Sequence, residues 1–214
     1  MEALHKQRVA DFGPGHCYRS KYAQFMLQRR GDIHTAIEQS QQALKENCTD
    51  PVARQTLGLA EYAQWAAQSG QQRAAALNQA RIYLPLGPMA LYSLAAGDPT
   101  FAAAKQLIAG GEKVDQLDAD KLTALAYALR ESNVTAIKHL VSLGARTDLP
   151  VGYQSVPTAL LPVMEGNIEA VRVLRELGVD YSKLRFHGAT AFDIAKTTGN
   201  AVLLHALGPE SDAL

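Results

Sequence analysis

The feature that most constrains this chain is a spaced recurrence of glycine. Gly111, Gly144 and Gly178 follow one another at steps of 33 and 34 residues, and Gly166 and Gly199 form a second series, again 33 apart. The first series sits in matching frames: KQLIAGGEKVD (105–115), KHLVSLGARTD (138–148) and RVLRELGVDYS (172–182). Leu107-Ile108, Leu140-Val141 and Leu174 hold the same place ahead of the glycine. A period of this length signals stacked supersecondary units, each burying its apolar face against its neighbours.

The interior of each unit reads as a helix pair. A Thr-Ala-Leu-type start (Thr123-Ala124-Leu125; Thr190-Ala191-Phe192) opens a short helix, and its small Ala128 or Ala195 allows close helix approach. A second helix follows with apolar residues at helical spacing, such as Ile137, Leu140 and Val141, or Ile168, Val171 and Leu174. Glycine ends that helix because its last turn often closes through a residue at positive φ. In GATAFDIAKTTGN (188–200), Thr190 is expected to make the helix-starting hydrogen bonds, Asp193 to lie in the first helix, and Gly199 to turn the chain.

At these residues the sequence resembles the ankyrin-repeat family. GATAFDIAKTTGN and GNIEAVRVLRELGVD meet the family pattern, and DKLTALAYALRESNVTAIKHLVSLGARTD meets it with Ser132-Asn133 in place of the mid-repeat glycine. The family's histidine is absent; Ala126, Leu160 and Asp193 fall there. PMALYSLAAGDPTFAAAKQLIAGG is the weakest match and reads as a degenerate first repeat. The resemblance spans about 88–207, four units with the last truncated, and speaks to fold far more than to function.

Residues 16–85 read as four helices. Tyr22, Phe25, Met26 and Leu27 suit one amphipathic helix, and Ile33, Ala36, Ile37, Ala43 and Leu44 suit its partner after Gly31-Asp32. Asp50-Pro51 starts a second pair, with Leu57, Leu59, Tyr62, Trp65 and Ala66, then Ala74, Ala75, Leu77 and Ile82 beyond Gly70. GDIHTAIEQSQQALKENCTDP resembles a tetratricopeptide second helix, and DPVARQTLGLAEYAQWAAQSG the first helix of a tetratricopeptide or Sel1-like unit. The fold class expected is thus all-α: an α-solenoid of two such helix pairs (16–87) followed by about four ankyrin-like repeats (88–207). A lead (1–15) and a tail (208–214) flank one continuous array.

Composition excludes several roles. Lys+Arg and Asp+Glu are both 21, so no surplus of cations exists to neutralise nucleic-acid phosphates. No apolar run approaches the roughly 18–20 residues of a membrane span; Leu84 to Ala96 is broken by Pro85, Gly87 and Pro88. The six histidines show no zinc spacing, and no phosphate loop, nucleophile elbow or dinucleotide fingerprint occurs. His16 beside Cys17 is better explained by a helix start than by a thiol nucleophile, because neighbours in a chain point apart. No enzyme, cofactor or metal is therefore expected.

Cys17 and Cys48 are the only cysteines. If their helices fold back at Gly31, both fall at the open end of the hairpin, with a mismatch of roughly 4.5 Å of helix rise. A bridge is the favoured reading and would place the protein in an oxidising compartment such as a bacterial periplasm. Two free thiols, packed as small apolar residues, would fit a cytoplasmic protein. MEALHKQRVADFG has no apolar core of a signal peptide, which suits either a cytosolic chain or one that begins after a removed signal.

The resemblance implies a concave face, built from inter-repeat loops and first helices, that grips a protein partner. Carried over, the loops supply Asp118, Asp120, Tyr153, Gln154, Arg185, Phe186 and His187, and the first helices Tyr127, Arg130, Met164 and Glu165. Tyr, Arg, Phe and Met are enriched in interface cores. The expected function is a non-enzymatic interaction module, in its sharper form an immunity or inhibitor protein that neutralises a toxic enzyme. The alternative is an adaptor or chaperone-like scaffold holding a peptide in the N-terminal helical groove.

Overall fold

The computed structural model describes residues 2–12, 18–46, 50–69 and 71–208. It is mostly helical, with 66% of the chain in helix and little strand. The chain divides into two compact units: residues up to 86 with 97–110, and 87–96 with 111 onward.

The first unit is built around α4 (Pro51–Ala67), the longest helix among the described residues. Asp50 caps it by accepting from the Val52 amide, and Pro51 occupies its first turn, where a missing N–H leaves no bond unmade. Against α4 pack α2 (Tyr18–Phe25), α3 (Ile33–Lys45), α5 (Gln71–Tyr83) and α7 (Asp98–Ala109). The core holds Tyr22, Leu27, Ala36, Leu57, Tyr62 and Trp65. α2 widens into a π turn at Met26–Arg30, which Gly31 closes at φ 66°, and Asp32 then caps α3 through the Thr35 amide. Gly58 lets the Leu84 backbone lie directly on α4, since a Cβ there would fall 2.4 Å from Leu84 Cβ. The N-terminal lead contains a helix, α1 (Glu2–Phe12), packed on α2.

One expectation for this unit is corrected. Ala74, Ala75, Leu77 and Ile82 do not form the buried stripe of α5; Ala76 and Ala80 do, while Ala74 and Ala75 are exposed and Ile82 is 62% exposed. An Ala-rich helix offers no apolar contrast to fix its rotation, so the face turned inward is set by what fits against α4.

The second unit has two rows of helices. α6 (Pro88–Ala95), α8 (Ala124–Arg130), α10 (Leu161–Met164) and α12 (Ala191–Thr197) touch in succession, and so do α9 (Val134–Ser142), α11 (Ile168–Glu176) and α13 (Ala201–Leu207). A 3-10 turn, Thr158–Leu160, leads into α10. Leu125, Leu129, Ile137, Leu140, Leu160, Leu174 and Leu203 are wholly buried between the rows. Two short antiparallel ribbons interrupt the helical pattern: β1 (Pro150–Val151) with β2 (Val156–Pro157), and β3 (Arg185–Phe186) with β4 (Ala189–Thr190). Sequence alone suggests plain loops for these segments.

The recurrences of the sequence have recurring local geometry. Gly111, Gly144 and Gly178 sit at φ 104°, 92° and 92°. Between the helices of each pair, Ser132, Gly166 and Gly199 adopt φ 53°, 70° and 64°. The next residue in each case, Asn133, Asn167 or Asn200, caps the second helix through its side-chain oxygen. Ser132 thus takes the left-handed conformation that glycine holds in the other two units. Thr190 opens α12 in a reciprocal capping box with Asp193, whose carboxylate accepts from the Thr190 amide at 2.9 Å. In the middle unit Thr158, Ala159 and Leu160 are wholly buried.

Candidate functional site

The site is an open groove of about 540 Å³ in the second unit. Two stretches of the chain, 120–130 and 151–165, enclose it. The turn before α8 supplies Asp120 and Leu122, the β1–β2 ribbon supplies Val151 to Gln154 and Val156, and α8 and α10 supply Arg130, Leu161, Met164 and Glu165.

One wall is organised by Asp118. Its carboxylate accepts from the amides of Asp120 and Leu122 at 3.0 and 2.9 Å, and from the Tyr127 hydroxyl at 2.6 Å. Burial works against the charge of Asp118, but these hydrogen bonds outweigh it and hold the carboxyl below its ordinary range. The same bond from its side pushes the Tyr127 phenol up to about 12, because losing the proton would set two negative charges together. Tyr127 also stacks on Tyr92 of α6, ring centroids 6.4 Å apart. The turn is pinned to the ribbon by the Gly152 amide, which donates to the Lys121 carbonyl at 2.8 Å. Gly152 at φ 69° and Ser155 at φ 58° supply the left-handed backbone that returns the ribbon on itself.

Above this wall stands Tyr153, 73% exposed. Its hydroxyl lies 3.4 Å from the Ala119 carbonyl and 3.5 Å from the Asp120 carboxylate, and the Lys121 ammonium lies 5.7 Å over its ring. The opposite rim carries Arg130 and Glu165, paired at 3.7 Å. The floor is apolar: Leu122, Val151, Val156 and Leu161 are buried, and Met164 is 40% exposed. The lining thus combines an apolar floor with a charged rim and an exposed aromatic ring.

Of the residues singled out by sequence, Asp120, Arg130, Tyr153, Gln154, Met164 and Glu165 line the groove. Asp118 and Tyr127 do not line the groove; they stand behind its wall and bond to each other. Arg185, Phe186 and His187 belong to the β3–β4 ribbon and do not line the groove. Phe186 is half-buried with its ring 4.1 Å from that of His187, and His187 holds the tip of the turn at φ 50°. Sequence reasoning missed the floor. The available signal was the pair Val151 and Val156 flanking Gly152, apolar residues on either side of a turn-forming glycine.

Cys17 and Cys48 lie outside the described residues. Among the described residues no group of His, Cys, Asp and Glu is gathered as a metal site would need, and no helix is long and apolar enough to cross a membrane. No family model matches the chain, and no curated protein matches it.

Proposed function

We propose that the protein is a non-enzymatic interaction module whose second unit is an ankyrin-like array, and that the groove beside Tyr153 receives a partner protein. One observation carries this reading: residues from 120–130 and from 151–165 converge on one open groove with an apolar floor, a charged rim and an exposed aromatic ring. Exposed aromatic and Met surface beside a satisfied polar wall is what interface cores are made of. At about 540 Å³ the groove suits a few side chains of a partner.

In the sharper form of the proposal the partner is an enzyme, and the protein neutralises it as an immunity or inhibitor protein does. Residence in an oxidising compartment belongs to that form and depends on a Cys17–Cys48 bridge. Alkylation with and without reductant, on protein from its own compartment, tests that part.

A photo-crosslinking residue placed at Tyr153 tests the main reading in the native host. It is expected to trap one protein, whereas the same probe at Lys138 on α9 traps none. Trapping from a position on α3 but not from Tyr153 would favour a peptide scaffold in the first unit. A trapped protein without catalytic activity would remove the inhibitor form.

A further inference from the structure

The charges around the groove are unequal in how well they are answered. Arg130 and Glu165 face each other at 3.7 Å and cancel. Lys121 is drawn off over the Tyr153 ring. Asp120 is left with a single long contact, 3.5 Å from the Tyr153 hydroxyl, and no cation within ion-pair reach. Its side chain is exposed and lines the groove together with the buried apolar residues Leu122 and Val156 of the floor.

We infer that the occupant is a protein segment that sets a basic side chain at Asp120 and apolar neighbours on the floor. The inference rests on the groove being the binding site. An all-apolar segment covering it would strip water from the Asp120 carboxylate and return nothing. An acidic segment would add a second negative charge beside it. A lysine or arginine avoids both penalties, because its methylene stem covers Leu122 and Val156 while its head reaches the carboxylate. The Tyr153 ring adds an aromatic edge to that path.

Two short peptides, acetyl-Leu-Arg-Leu-amide and acetyl-Leu-Glu-Leu-amide, test this by titration into the full chain with labelled methionine methyl groups. The spectrum is simple: the chain has four methionines, and Met26, buried in the first unit, serves as the internal reference. The arginine peptide is expected to move the Met164 resonance saturably and to bind about two- to five-fold tighter than the glutamate peptide, the effect of one exposed ion pair. Asp120→Asn is expected to erase that difference while leaving the other resonances in place, since the side chain makes only the one long contact. Equal or tighter binding of the glutamate peptide would overturn the basic occupant and leave the groove reading standing. If neither peptide moves Met164, the groove reading falls with it. A Met164 shift on dilution without peptide would assign the groove to a second copy of the chain.

Discussion

At the scale of single residues, two carboxylates carry opposite signatures. Asp118 is held charged by three donors, and its pKa lies below the ordinary value of 3.8. Its contribution to stability is therefore present above that value and is lost as pH falls through the lower, folded-state pKa. Asp118→Asn is expected to lower stability at pH 7 by roughly 1–2 kcal/mol, the worth of hydrogen bonds to a charged group, with the deficit shrinking below pH 3.8. Glu61 is the reverse. It is 7% exposed on α4, and burial raises its pKa above the ordinary 4.5. Ionising it works against folding, so stability falls as pH rises from 4.5 toward the folded-state pKa. Glu61→Gln is expected to be more stable than the parent at pH 7, with the gain gone well below pH 4.5. Urea denaturation at stepped pH measures both. Neither signature was legible beforehand, because Asp118 looks like any turn aspartate and Glu61 like any helix-surface glutamate until their neighbours are placed.

At the scale of elements, the asparagine that follows each left-handed turn starts the second helix of its pair. Asn133 does this alone, accepting from the Ala136 amide at 3.0 Å. Asn167 caps α11 in the same way, and its side-chain amide also donates to the Leu129 carbonyl and the Ser132 hydroxyl, tying α11 to the end of α8. Asn133→Ala is expected to lose about 1 kcal/mol, the usual worth of a cap. Asn167→Ala should lose about twice that, because its two hydrogen bonds to the end of α8 go with the cap. Equal losses in denaturant titration would mean that the link between pairs contributes nothing. The helices, their order and the glycine turns could be read from the sequence, since they follow from local periodicity and backbone sterics. The asparagines carry the same period, at steps of 34 and 33 residues. The ribbons were missed because two-residue strands are too short to show an alternation.

At the scale of the whole molecule, the two units do not follow the chain in simple order. α6 packs with α8 and α9, while the segment after it, α7, packs on α4. Gln106 of α7 donates to the Ala66 carbonyl at 2.9 Å, and Arg73 reaches Gln106 at 2.6 Å while lying over the Trp65 ring. A fragment ending at residue 86 would therefore leave one side of α4 bare. It is expected to melt less cooperatively and at lower temperature than a fragment ending at residue 110, as circular dichroism would show. The repeat resemblance placed residues 88–110 within one array, whereas the contacts draw its second helix into the first unit. No left-handed residue separates α6 from α7: Ala96 and Gly97 sit at φ −75° and −128°, unlike the turns of the later pairs.

The sequence by itself determined what depends on near neighbours along the chain: the helical class, the period of the later pairs, the caps and the left-handed turns. Each follows from sterics and hydrogen bonding within a few residues. Only the tertiary structure decided which face of α5 turns inward, that Asp118 braces a wall instead of meeting solvent, and that Asp120, Tyr153 and Met164 share one groove. Those outcomes depend on close packing between segments far apart in sequence, where the fit of one side chain against another, and not its own preference, sets the result.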